Sequence, residues 1–163
     1  LRVSYEAAKK ADPQCIVLNG GLTEPIIKDV KNLYQHAGKD YFDILNIHTF
    51  IDPLQEKPEK QFQEIIDGVV HIMKDQNDRQ KKIWITEMGC PGIPANQSSQ
   101  KWFAGESVTE DQQAKWLIKQ YEMMRKYTQI VVSQKRVKFL CSSQLSFQPK
   151  NTNSCTNEEI NVL

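Results

Sequence analysis

Short apolar runs alternate along the chain with longer amphipathic stretches. The apolar runs cover residues 15–19, 41–50, 82–88 and 137–141, and each has the length of a buried strand. Between these runs, apolar residues recur every three or four positions, as they do in helices with one buried face. Because strands and helices alternate, the pattern predicts an α/β fold whose parallel strands are joined by helical crossovers.

The predicted helices carry boundary signals. The first covers residues 3–11 and stops at Asp12-Pro13, because the residue before a proline avoids the helical region. The others begin near residues that favour a first turn, which are Thr23, Pro58, and Thr109 with Gln112 three positions on. Their expected buried faces are Ile26, Val30, Leu33 and Ala37; then Phe62, Ile65, Ile66, Val69 and Met73; then Ala114, Leu117, Ile118, Tyr121 and Met124.

Polar side chains end two neighbouring strands. With strict alternation of side chains, Glu87 shares one side of its strand with Ile83 and Ile85. Asn46 and His48 share one side of the preceding strand, and His48 ends it. A solvated residue or a salt-bridge partner explains Glu87 as well as a catalytic role does. Two polar residues at the ends of adjacent strands favour a shared site, because catalytic groups of α/β barrels gather there.

Two aromatic side chains lie near the expected strand ends. Phe50 follows the second strand, and Trp102 lies in the long loop of residues 89–108, which is rich in Gly, Pro, Ser and Asn. Loops of this length in compact domains are usually functional or disordered. Alone, either ring is more simply explained as a hydrophobic anchor, but beside a sugar site it would serve as a stacking platform.

Composition excludes several classes of function. The chain of 163 residues has the size of one domain, and 21 Lys plus Arg balance 20 Asp plus Glu, which does not indicate a nucleic-acid-binding surface. No stretch approaches the roughly 20 apolar residues of a membrane span. The four cysteines are widely spaced and form no metal-binding pattern, so we expect no metal or cofactor. We expect buried or half-buried free thiols, with one disulfide as the alternative, among Cys15, Cys90, Cys141 and Cys155.

The run 83–89 (IWITEMG) resembles the end of the seventh barrel strand in clan A glycoside hydrolases, which include families 5 and 39. In that motif the glutamate is the nucleophile of a retaining mechanism. Other segments resemble, in order, the helix before the fifth strand, the fifth strand, the sixth strand and the start of the seventh helix: residues 5–13, 15–22, 43–50 and 113–117.

The resemblance covers residues 3–140 and implies a fold, an activity and a site. Residues 1–147 would be the C-terminal half of a (β/α)8 TIM barrel, about strands five to eight, and residues 148–163 a polar, disordered tail. The activity would be that of a retaining β-glycosidase acting on an oligo- or polysaccharide. The implied nucleophile is Glu87, and the implied substrate-binding residues are His48, Asn46, Phe50 and Trp102.

Two features depart from the family pattern. The acid/base glutamate of the family ends the fourth strand, which would precede Leu1. The eighth strand commonly ends in an aromatic residue, whereas residues 139–143 (FLCSS) offer no Trp. We therefore expect the 163 residues alone to be inactive and an N-terminal half-barrel to complete the protein.

Two other functions and the localisation stay open. One alternative is a non-catalytic carbohydrate-binding or scaffold protein with a degenerate barrel. Another is a barrel enzyme that uses Glu87 as a general base. The localisation includes secretion, since a signal peptide before Leu1 would not be visible.

Overall fold

Helices and strands alternate along the part of the chain that the computed structural model describes, which comprises residues 1–36, 38–93 and 108–131. This confirms the predicted α/β class. The elements are α1 (Arg2–Ala11), α2 (Ile26–Gln35), a 3-10 helix (Gly38–Tyr41), β1 (Ile44–Thr49), α3 (Pro58–Asp75), β2 (Lys82–Met88), α4 (Glu110–Met124) and β3 (Ile130–Val131).

The three strands form a parallel sheet in the order β1-β2-β3. Helix α3 connects β1 to β2, and α4 connects β2 to β3, because parallel neighbours require a crossover between them. β3 pairs through Ile83 with Ile130 and Trp84 with Val131. A strand of two residues is too short for periodicity to reveal, which is why the sequence pattern did not predict it. The strand predicted at residues 137–141 lies outside the described residues.

The segment expected to be the first strand, residues 15–19, is not a regular strand. It runs beside β1 through two isolated parallel bridges, Leu18 with Ile44 and Leu22 with Ile47. Between them, the Asn19 side chain bonds both backbone groups of Asn46, whose carbonyl also accepts from the Leu22 N–H at 3.3 Å. Asn19 Oδ1 accepts from the Asn46 N–H at 2.6 Å, and Asn19 Nδ2 donates to the Asn46 carbonyl at 3.0 Å. A side-chain amide thus supplies the partner of the Asn46 N–H in place of a backbone carbonyl, and the ladder is interrupted there.

The core lies between one face of the sheet and the helices. Leu45, Ile47 and Ile83 are fully buried there. The predicted stripe of α3 is confirmed, since all five of its residues are buried. The predicted face of α2 is buried at Ile26 and Val30. Leu33 is partly buried against the core, and Ala37 lies outside the described residues.

Helix α4 buries the predicted face only in part. Its capping box between Thr109 and Gln112 is confirmed. Met124 is buried as predicted, and Leu117 and Tyr121 are partly buried against the core. However, Trp116, Gln120 and Met123 are also buried, whereas Ala114 is exposed and Ile118 keeps 61 % of its surface in solvent. An indole buries far more apolar area than an alanine and a distant isoleucine can, so the helix turns its tryptophan towards the core.

Two predicted element boundaries are also wrong. Helix α2 begins at Ile26 with Pro25 before it, and Thr23 does not cap it. The reason is that Glu24 precedes a proline and is therefore kept out of the helical region. The strand expected from residue 41 begins at Ile44, because Tyr41 ends the 3-10 helix.

Asp43 ties α1 to the start of β1. Its carboxylate lies 2.8 Å from Lys9 Nζ and accepts from the Val17 N–H at 2.7 Å and the Tyr5 hydroxyl at 3.3 Å. Burial opposes ionisation of Asp43, but the hydrogen bonds and charge of Lys9, Val17 and Tyr5 outweigh it and lower the pKa of the carboxyl. The folded state therefore stabilises the ionised form of Asp43 relative to the protonated form.

We expect Asp43→Asn to lower the free energy of unfolding by about 1–2 kcal/mol at pH 7, measured by urea denaturation. Because the pKa of Asp43 is lowered on folding, this contribution is complete above the unfolded pKa of about 4. It disappears as the pH falls through the lowered folded value. Asp40→Asn, which changes an exposed residue of the neighbouring 3-10 helix, is the control. A difference between wild type and Asp43→Asn that persists at low pH would contradict this assignment.

Candidate functional site at the carboxyl ends of β1 and β2

A β-bulge in β2 determines where Glu87 points. Ile47 pairs with Ile85, but the next residue of β1, His48, pairs with Glu87. Thr86 is therefore an extra residue that is paired with no residue of β1 in the strand register. One extra residue reverses the alternation of side chains beyond it. Glu87 therefore lies beside His48 and on the opposite face from Ile85. The expectation that Glu87 shares a side with Ile83 and Ile85 is wrong.

The two faces of the sheet differ in polarity. Leu45 pairs with Ile83 and Ile47 with Ile85 on the face that meets the helices, whereas the other face carries Asn46 beside Trp84 and His48 beside Glu87. Without the bulge, the Glu87 carboxylate would enter the apolar layer, where an unpaired charge is costly. The bulge thus brings the charge to the polar face.

His48 and Glu87 form the centre of this face. His48 Nδ1 lies 3.6 Å from Glu87 Oε2. The Glu87 side chain is 37 % exposed and that of His48 only 16 % exposed. The separation exceeds a hydrogen bond, so His48 does not occupy the carboxylate. A ligand can therefore reach Glu87 while the imidazole forms part of the wall next to it.

A hydrogen-bonded chain supports His48 from below. Thr86 Oγ1 donates to Asn46 Oδ1 at 2.8 Å, and His48 Nε2 lies 3.0 Å from Thr86 Oγ1. Asn46 is only 7 % exposed, and its own backbone is held by the buried side chain of Asn19. The side chains of Asn46, Thr86 and His48 thus form one hydrogen-bonded network, which fixes the position of the imidazole.

The segment after Asn19 closes over the imidazole. A Cβ added at Gly21 would overlap the His48 ring, so only glycine permits this approach. The His48 N–H donates to the Leu22 carbonyl at 2.8 Å. The Phe50 ring meets the imidazole edge-on, with the centroids 6.1 Å apart. His48 is therefore confined by groups from three consecutive segments of the chain.

The structure brings together four of the five residues predicted for the site. Glu87 contacts His48, His48 contacts Phe50, and Asn46 joins them through Thr86. Trp102 lies outside the described residues. Sequence reasoning missed Thr86, Asn19 and Gly21 as parts of the site. Gly20 and Gly21 directly follow the apolar run of residues 15–19, where glycines commonly end a strand, but neither the bulge nor the side-chain amide contacts of Asn19 have a sequence signal of their own.

The turn after β2 offers little further chemistry. Gly89 has a positive φ of 129°, and Cys90 behind it is 3 % exposed. Burial, together with the charge of Asp52, raises the pKa of the Cys90 thiol to about 11, so the thiol is neutral and unreactive. Cys15 is likewise free, and Cys141 and Cys155 fall in the part not described.

Two kinds of feature are absent from the described part of the chain. Its His, Cys, Asp and Glu residues form no group of three or more that could hold a metal ion. None of its helices is both long and apolar enough to cross a bilayer.

Comparison with known proteins identifies the family. Neither the search of curated proteins nor the search of solved structures returned a match. Residues 27–150 match the family described as the glycosyl hydrolase catalytic core, and this stretch is more than half of the 163-residue chain. The match includes both His48 and Glu87, whereas Asn19 and Gly21 precede it. The chain belongs to the glycosyl hydrolase catalytic core family.

Proposed function

We propose that this chain carries the nucleophile of a retaining β-glycosidase and that the nucleophile is Glu87. The supporting observation is the placement of its carboxylate. It stands at the carboxyl end of a parallel strand, partly exposed, and 3.6 Å from His48 within the stretch that matches the family. In α/β barrels this edge of the sheet is where the catalytic groups lie.

The proposed setting of this site is a (β/α)8 barrel. Residues 18–22, β1, β2 and β3 are parallel and adjacent in sequence order, and one α-helix lies between each segment and the next, with the 3-10 helix also preceding β1. That arrangement is the repeating unit of such a barrel. The four segments would be strands five to eight, with β3 as strand eight in place of the run at residues 137–141. The face with Asn46 and Trp84 would then line the barrel interior, and the helices would form the outer layer.

In the proposed reaction, Glu87 Oε attacks the anomeric carbon and forms a glycosyl ester. The bond to the leaving oxygen breaks at the same time, and a second carboxylic acid protonates that oxygen. A water molecule then cleaves the ester and gives its proton to the second carboxylate. The two displacements retain the anomeric configuration. This chemistry places the two carboxyl groups about 5–5.5 Å apart.

The second carboxyl group is proposed to come from outside the described residues. Within them, the titratable side chain beside Glu87 is that of His48, which is an imidazole and not a carboxylic acid. His48 would hydrogen-bond a sugar hydroxyl next to the reacting carbon, and the Phe50 ring beside it would border the same subsite. Asn46 would act through Thr86, since it is nearly buried. Trp102 stays a proposed stacking residue.

The mechanism can be tested on the full-length protein with activated 2-deoxy-2-fluoro glycosides. The fluorine slows hydrolysis of the glycosyl ester, so we expect peptide mass spectrometry to find the sugar on Glu87. Glu122→Gln, an exposed change on α4, should be labelled like wild type, and Glu87→Gln should not be labelled.

The stereochemistry of the product provides an independent readout. For a natural-type substrate, ¹H NMR should show first the product anomer with the configuration of the substrate. An inverted first product would contradict the retaining mechanism. Carbohydrate binding without label or turnover would favour the non-catalytic alternative.

A further inference from the structure

The direction of each hydrogen bond below His48 follows from the number of available protons. A threonine hydroxyl has a single hydrogen, and Thr86 donates it to Asn46 Oδ1 at 2.8 Å. The contact of 3.0 Å between Thr86 Oγ1 and His48 Nε2 therefore requires that the imidazole be the donor. In neutral His48 the proton is then on Nε2, and Nδ1 has a lone pair.

We propose that Thr86 is a positioning residue that selects the Nε2–H tautomer of His48 and so leaves Nδ1 as a hydrogen-bond acceptor beside Glu87. The functional meaning of this tautomer rests on the proposed glycosidase function. The tautomer itself rests on the geometry of Asn46, Thr86 and His48 alone.

The β-bulge makes the selection possible. Thr86 and Glu87 follow each other in β2, yet Thr86 reaches His48 Nε2 and Glu87 faces His48 Nδ1. In a regular strand two successive side chains point to opposite faces and could not hold the two nitrogens of one ring. Gly21 and Phe50 border the ring. If the ring turned over, Cε1 would replace Nε2 beside Thr86 and Cδ2 would replace Nδ1 beside Glu87, so the hydrogen bond to Thr86 favours the observed orientation.

The chosen tautomer has a chemical consequence for the site. The lone pair of Nδ1 and the Glu87 carboxylate are both acceptors, so hydroxyl groups of a bound sugar can donate to them. The opposite tautomer would direct an N–H at Glu87 Oε2 and occupy an oxygen that should attack the anomeric carbon. Thr86 thus keeps the nucleophile free without touching the substrate itself.

The tautomer can be measured by NMR on the protein with ¹⁵N-labelled histidine, at a pH where the histidines are neutral. We expect His48 to show a protonated Nε2 and an unprotonated Nδ1. The same spectrum contains a reference of the opposite kind, because His36 Nδ1 lies 2.8 Å from the Asn32 carbonyl, which can only accept. His36 should therefore be protonated on Nδ1.

Three variants separate the role of the hydroxyl from the shape of the side chain. Thr86→Val leaves Nε2–H without an acceptor, so we expect the proton to move to Nδ1, where it can bond Glu87. Thr86→Ser keeps the hydroxyl and should keep the wild-type tautomer. Thr49→Val is the matched control, since Thr49 is buried on the other face and its hydroxyl has no hydrogen-bond partner among the described residues.

Either of two results would overturn the proposal. A wild-type His48 protonated on Nδ1 would mean that the Asn46 amide is turned round and that Thr86 is the donor to the imidazole. A Thr86→Val variant with the wild-type tautomer would mean that the hydroxyl selects nothing. Labelling of Glu87 by a fluoro glycoside is a separate readout, so failure of the glycosidase assignment is distinguishable from failure of the tautomer assignment.

Discussion

Glu87→Gln should lower the glycosidase kcat of the full-length protein by on the order of 10⁴-fold or more, as removal of a covalent nucleophile does in other hydrolases. Glutamine has nearly the same shape but no negative charge with which to attack the anomeric carbon. The measurement is steady-state turnover of an aryl glycoside, with Glu122→Gln on the exposed face of α4 as the control.

The same substitution should leave the fold intact. Glu87 is 37 % exposed and lies 3.6 Å from His48, so within the described residues it makes no short hydrogen bond that the variant would lose. We expect the free energy of unfolding to change by no more than about 0.5 kcal/mol. Urea denaturation checks this, and a variant that is both inactive and unstable would not support a chemical role.

A smaller side chain at this position provides a sharper test of the nucleophile. In Glu87→Ala, added azide or formate can occupy the vacated space and attack the anomeric carbon from the same side. We expect partial recovery of turnover and, with azide, a glycosyl azide of inverted configuration. Full activity of Glu87→Gln would refute the assignment of the nucleophile.

Gly21→Ala should disturb the site more than a glycine-to-alanine change at any other described glycine. Its Cβ would overlap the His48 imidazole, and this ring cannot yield easily. The ring atom Nε2 is hydrogen-bonded to Thr86, and Phe50 lies against another side of the ring. The backbone N–H of His48 donates to the Leu22 carbonyl, which fixes the main chain as well. We expect a loss of about 1–3 kcal/mol in unfolding free energy, as overpacking usually costs.

Gly20→Ala is the matched control for this prediction, because a Cβ at Gly20 meets nothing within 4 Å. Its expected effect on stability is about zero or slightly positive, since alanine restricts the unfolded chain. The His48 imidazole ¹⁵N and ring ¹H signals should shift in Gly21→Ala and stay unchanged in Gly20→Ala. Equal behaviour of the two variants would show that the close approach to His48 does not constrain the ring.

Local patterns were sufficient where one element determines its own structure. Strand β2 has the predicted bounds, because an apolar run between charged and glycine positions has few alternatives. Helix α3 begins at the proline that predicted it and buries the predicted stripe. The capping box of α4 is a contact between residues three positions apart, and it also formed as expected. In each case the determining interactions are close in sequence.

Predictions failed where a distant part of the chain supplies a competing partner. Residues 15–19 have the composition of a strand, but the Asn46 N–H donates to the Asn19 side chain and not to a backbone carbonyl of that segment. Helix α4 buries Trp116 beside the predicted Met124 and leaves the predicted Ile118 in solvent. Periodicity within a segment does not indicate either outcome.

The site shows the same division. That His48 and Glu87 lie together follows from the sequence, since each ends one of two consecutive parallel strands and such ends meet at one edge of the sheet. How they meet does not follow. Alternation alone places Glu87 on the face of Ile85, and the extra residue Thr86 reverses that face.

The sequence by itself therefore determined the α/β order, the strand that carries Glu87 and the pairing of that strand's end with His48. Only the tertiary structure decided the face of the carboxylate, the support by Asn46 and Thr86, and the need for glycine at position 21. The physical reason is that the hydrophobic pattern of a strand indicates which side chains are buried if their alternation is regular. A bulge arises in the pairing of a strand with its neighbour, so the pattern of one strand does not reveal it. Here it keeps the Glu87 carboxylate out of the apolar layer, where an unpaired charge is costly.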